Sequence, residues 1–192
     1  MQTRRLLGAA AAALISVPLF GAEASAASRG AFIWDGEYWG FTYDAFEQGL
    51  TAGGATKVDR APALPSDLLA YNLVIVVLPK VAPSSAESST LASFVQGGGA
   101  LVLVSDMQGY APEPSPIFNA LLPGLGVEAR FAPGAVYSCG DTSAIEAHPL
   151  TAGLTAFHFA APDYVVPGAA TTPLVSTGDG NLFVAVEKNV VL

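Results

Sequence analysis

The sequence predicts an α/β protein, a three-layer sandwich built on a mostly parallel central sheet, with extra β-hairpin elements in the C-terminal third. Three observations carry that reading. Residues 71–79 and 100–104 are continuous, β-branched apolar runs, too short for a membrane span and too uniformly apolar for strands with one wet face. A helical pattern lies between them, so they are joined as a β-α-β unit. The last third breaks into short apolar stretches separated by Gly, Pro and Asp, the texture of hairpins.

The elements follow in order. Ala31 to Asp35 is a short strand ending on a carboxylate. From Tyr43 to Gly53, Tyr43, Phe46 and Leu50 recur at helical spacing after a capping Thr42, and Gly53-Gly54 stops the helix before a strand at 56–59. Ser66 to Leu69 reads as a brief helical turn into the central strand. Ser84 is placed to cap the next helix, with Glu87 three residues on to complete a capping box, and Leu91, Phe94 and Val95 share one face. Gly97-Gly98-Gly99 ends it. After Asp106 the density of Gly109, Pro112, Pro114 and Pro116 predicts a loop over the carboxyl edge of the sheet, followed by a short helix at 117–122 and an alternating strand at 126–131. Residues 132–149 show little periodicity. Four short strands then follow, with a turn at Gly178-Asp179-Gly180-Asn181 that predicts a hairpin.

The N-terminus reads as an export signal. Arg4 and Arg5 form a basic start, Leu6 to Phe20 is an alanine-rich apolar stretch, and Ala24-Ser25-Ala26 fits a small-residue cleavage site. Thr3-Arg4-Arg5 also resembles a loose twin-arginine signal. Residues 1–26 are therefore expected to be removed, leaving one domain over 27–192 in the periplasm or outside the cell, with no membrane span. Removal of Arg4, Arg5 and Glu23 takes the net charge from −8 to −9. So acidic a domain has no electrostatic footprint for nucleic acid or anionic lipid. With the single Cys139, no intramolecular disulfide can form, and stability must come from a core that 52% hydrophobic residues can supply.

In a flavodoxin-like strand order, the residues ending the core strands meet at the carboxyl edge, where open α/β sheets place ligands. Asp35, Glu37, Lys80, Ser105 and Asp106 are the candidate rim of a polar ligand pocket; the plainer reading makes them solvated strand ends and caps. Asp35 and Asp106 would stand two strand spacings apart, about 9.6 Å, too wide for one metal ion. Trp34, Tyr38 and Trp39, with Phe41 and Tyr43, are a candidate sugar-stacking patch, or alternatively the packing between the first strand and helix. Cys139 is read as a cysteine packed under a loop and dispensable for activity. His148 is read as the cap of a turn before Pro149, and His158 as a strand residue. Two histidines ten residues apart without clustered carboxylates predict no metal, and no cofactor motif is present.

Residues 67–76, followed by Leu91-Ala92-Ser93-Phe94-Val95-Gln96-Gly97-Gly98-Gly99 and its strand, resemble the class I glutamine amidotransferase-like superfamily. The nearer likeness is to its exported or membrane-associated non-amidotransferase branches, including DUF4350-type domains. His148-Pro149-Leu150-Thr151-Ala152-Gly153-Leu154 and Thr172-Pro173-Leu174-Val175 are similar to segments of those branches. The resemblance implies a nucleophile turn at 104–109, and that turn holds no cysteine. Nor does it hold a Gly-x-Ser-x-Gly elbow, since Leu103 and Met107 stand where glycines belong. It further implies a strand and closing helix of which Val190-Val191-Leu192 is only the opening, so the last residues are expected to pack poorly against an exposed apolar edge. The expected function is a non-catalytic binding or interaction domain for a small molecule, glycan or protein. The alternative is a hydrolase using Asp35, Ser105 and Asp106.

Overall fold

The computed structural model describes residues 30–36, 43–106, 114–132, 139–160 and 163–192; Glu37, Tyr38, Trp39, the 107–109 turn and the expected signal peptide lie outside them. Gly30–Asp35 (β1), Asp44–Ala52 (α1), Lys57–Ala61 (β2), Leu73–Val77 (β3), Ser85–Gln96 (α2) and Ala100–Val104 (β4) form the parallel half. β1 pairs with β2 and β3, and β3 with β4, all parallel, because each connection returns the chain through a helix or a crossover. All five β3 residues are buried, as a strand covered on both faces requires.

The chain continues through Pro114–Leu121 (α3), a 3-10 turn at Leu122–Leu125, and the strands Arg130–Ala132 (β5), Cys139–Thr142 (β6), Phe157–Ala160 (β7) and Tyr164–Val166 (β8). Thr172–Ser176 (β9), Leu182–Glu187 (β10) and Val190–Val191 (β11) complete one seven-stranded sheet in the order β2-β1-β3-β4-β11-β10-β9. β5–β8 and β6–β7 are separate antiparallel pairs. The predicted mixed architecture, with its antiparallel additions in the C-terminal third, is the architecture observed. No helix among the described residues is long and apolar enough to cross a membrane.

Strand alternation sorts the core into layers. Phe32, Trp34, Val74, Val76, Leu101 and Leu103 face α2 and α3 through Leu91, Val95, Phe118 and Leu121. Ala31, Ile33, Leu73, Ile75 and Val77 face Tyr43, Phe46 and Leu50 of α1. Ser84 caps α2 in a full capping box with Glu87, as the spacing predicts.

Several local expectations are corrected. The turn before β3 is not helical; the Asp67 carboxylate instead accepts the Leu69 N–H at 2.7 Å, so the backbone turns around a side chain. α3 begins at Pro114, because proline suits a first helical turn whose N–H groups have no partner. The strand expected at 126–131 is confined to Arg130–Ala132, and the aperiodic stretch conceals β6. The largest correction concerns the end of the chain. Val190, Val191 and Leu192 are buried, with β11 parallel to β4 and antiparallel to β10. Leu192 exchanges both backbone hydrogen bonds with Ala185, at 2.9 and 3.1 Å. A strand this short packs well because it lies between two others.

A buried carboxylate fastens the antiparallel half. Glu187, 1% exposed, accepts the N–H groups of Glu128 (2.8 Å) and Ala129 (3.1 Å) and the Thr171 hydroxyl (2.7 Å). Burial by itself would raise its pKa. The three donors, together with Lys188 beside it, outweigh that and hold the carboxyl below its usual range.

Candidate functional site

The strand register sets the carboxyl edge. Asp35 is level with Val77, and Val77 with Val104, so Asp35 and the Ser105-Asp106 pair are separated by the whole width of β3, as expected. The backbones stay joined past the sheet: Gly36 N–H donates to Val77 O at 3.0 Å and Leu78 N–H to Val104 O at 3.1 Å. Leu78 takes a left-handed conformation, φ 46°, a costly one for a branched side chain, immediately before Pro79. A β-carbon on Gly36 would lie 2.2 Å from Leu78 O, so only glycine fits beneath that turn.

Asp35 accepts the Tyr43 hydroxyl at the start of α1. Arg60 lies 3.9 Å from its carboxylate, stacks over the Tyr43 ring at 4.4 Å from the centroid, and reaches Glu47 at 3.5 Å. Burial, and then the bond to Asp35, pushes the Tyr43 phenol far above its ordinary value; Arg60 opposes this weakly. The phenol stays protonated, and Asp35 serves to join β1, α1 and β2.

Ser105 is drawn the other way. Its hydroxyl donates to Asp163 Oδ2, and so does the hydroxyl of Ser115 in the first turn of α3. Asp163, just before β8, is 4% exposed and Ser115 5%, so the end of β4 closes on a buried carboxylate. Neither residue was singled out in the sequence, because each reaches Ser105 only through the fold. Lys80 is exposed and Asp106 half-buried. Of the predicted rim, Asp35 is bonded to Tyr43 and Ser105 to Asp163, while Glu37 lies outside the described residues. Among the described residues no group of three or more His, Cys, Asp or Glu side chains could hold a metal ion.

The aromatic patch is corrected at Trp34. Its ring is 9% exposed and packed in the core, with Nε1–H donating to Pro62 O at 3.0 Å, so it offers no face to a sugar. Cys139 is also corrected: it is exposed at the start of β6 and not covered by a loop. His148 caps its turn as expected, its Nδ1 accepting the Leu150 N–H at 3.1 Å. His158 lies in β7, with Nδ1 2.7 Å from Asp141 of β6. Both described imidazoles are thus engaged away from Ser105.

No protein-family model and no curated protein matches the chain. Solved structures do match. The mmIFT52 N-terminal domain aligns over 84% of this chain and 86% of its own, with a TM-score of 0.66 and 14% identity. The exo-beta-1,4-mannosidase Op5Man5 from Opitutaceae bacterium strain TAV5 aligns over 87% of this chain at a TM-score of 0.52 and 15% identity. The chain spans 31% of the mannosidase's length. At such identities the likeness is one of fold.

Proposed function

We propose that this chain is an exported, non-catalytic binding or interaction domain of amidotransferase-like fold. The observation that carries the reading is the arrangement at Ser105. The resemblance assigns the amidotransferase thiolate to the position after β4; a serine hydroxyl stands there and donates a hydrogen bond to a buried carboxylate that also accepts one from Ser115. An activated nucleophile needs a base that takes its proton as the bond forms, together with a group orienting that base. Here the carboxylate serves two hydroxyls, and His148 and His158 are occupied elsewhere. The module reading also suits the two matched folds, one an N-terminal domain and the other a fraction of a longer enzyme.

The competing hydrolase reading rests on the same Ser105–Asp163 contact, so one experiment separates them. The purified domain is offered a panel of esters, amides, glycosides and phosphoesters, alongside Ser105→Ala. The expected result is no turnover above buffer for either protein. Turnover by the natural chain that Ser105→Ala abolishes would replace the binding reading with the hydrolase.

Export is tested separately. The full chain, expressed in a bacterium with intact secretion, is expected in the periplasm or medium with Ala27 as its first residue. Recovery from the cytoplasm or membrane with residues 1–26 still attached would overturn it.

A further inference from the structure

The seven-stranded sheet treats its two edges differently. The outer edge of β9 is covered: Ser176 N–H donates to Ala144 O at 3.0 Å, Glu146 N–H to Leu174 O at 2.9 Å, and Ile145 bridges to Val175. At the other edge, β2 pairs with β1 alone among the described residues. A bare strand edge is a template for another strand, and proteins that must avoid such pairing set charges along it. β2 does carry charges, but of both signs. Lys57 and Asp59 lie 2.6 Å apart on the face shared with Tyr71, whose hydroxyl donates to Asp59; their side chains are 50% and 38% exposed. Val58 packs on the opposite face with the α1 layer, and Arg60 lies over Tyr43 there.

From this arrangement we propose that β2 is a homodimer interface, at which a second copy adds its own β2 antiparallel across a two-fold axis through Val58 and joins the two sheets into one. The charges select that register. A two-fold axis perpendicular to the sheet places opposite each other only residues of the same face. With the axis at Lys57, the two lysines meet. With the axis at Asp59, the two carboxylates meet, and at Arg60 the two guanidiniums. Only the axis at Val58 sets Lys57 against Asp59 of the second copy, twice by symmetry, with the two Val58 side chains meeting on the opposite face. Opposite charges directly across a strand pair attract and like charges repel, so the same residues that reject three registers favour the fourth. Each Asp59 keeps its Tyr71 hydroxyl while exchanging a lysine within its chain for one across the axis. This interface supplies one partner for the module reading and does not depend on that reading being right.

The test is the molecular mass of the natural chain in solution, measured by sedimentation over a wide concentration range at low salt. The mass is expected to rise with concentration towards that of a dimer and to fall back when salt is added. Lys57→Asp and Asp59→Lys are each expected to remain monomeric, because the two-fold then faces like charges. Mixed in equal amounts they are expected to form a heterodimer, since one chain presents only carboxylates and the other only ammonium groups along that face. Both positions are exposed, and circular dichroism of each variant checks that it folds. As an independent measure on the natural chain, the outward backbone amides of β2 should gain protection from hydrogen exchange as concentration rises. A natural chain that stays monomeric throughout, a dimer that survives both single substitutions, or a mixture that fails to associate would overturn the proposal.

Discussion

Gly36→Ala is expected to cost about 3 kcal/mol of stability, lowering the melting temperature by roughly 6–12 °C for a chain of this size. A β-carbon there would approach Leu78 O to 2.2 Å and Val77 O to 2.6 Å. Both are backbone atoms of a fully buried strand and its strained exit, so neither can swing aside as a side-chain tip would. Relief requires parting β1 from β3 and losing the Gly36–Val77 hydrogen bond. Gly124→Ala is the control, because nothing lies within 4 Å of its added carbon. It should change stability by no more than about 0.5 kcal/mol. Calorimetry on both variants decides it; a Gly36→Ala protein as stable as the natural chain would show that the turn at Leu78 is not held against β1.

Glu187→Ala should be more damaging still, by roughly 3–5 kcal/mol, since it strands two backbone N–H groups and the Thr171 hydroxyl. Its pH dependence has a definite sign. The folded carboxyl titrates below its ordinary range, so its contribution is fully present above the unfolded value, about pH 4.3, and is lost as pH falls through the folded one. Urea midpoints of natural and variant chains should therefore differ widely near neutrality and converge on acidification. A gap that stays constant into acid would mean that the negative charge on Glu187 contributes nothing.

The parallel half was legible in the sequence because its signals are local. Continuous apolar runs, a capping box and glycine stops each act within a few residues, and β1, β3, β4, α1 and α2 lie where those signals put them. The antiparallel additions were harder to read. β6 has the sequence Cys139-Gly140-Asp141-Thr142, which shows little strand propensity and is held by its register with β7. The partners of the candidate site residues were hidden for the same reason. Asp35 and Ser105 could be placed at strand ends by counting, but their partners were set by tertiary contact. Asp163 lies 58 positions from Ser105, a separation that no periodicity spans. For Trp34 the sequence left stacking and packing open, because alternation fixes the face a residue points to and not what covers that face; the structure packs it in the core.

β11 carries a consequence for the order in which the molecule assembles. Val190 pairs with Leu101, about 90 positions away, and in the strand order this two-residue strand stands between β4 of the parallel half and β10. Closing so long a loop costs entropy before any contact rewards it, which slows folding. During synthesis the parallel half can form while the joining strand is still inside the ribosome, but the continuous sheet cannot. The continuous sheet thus waits on β11, whichever half forms first.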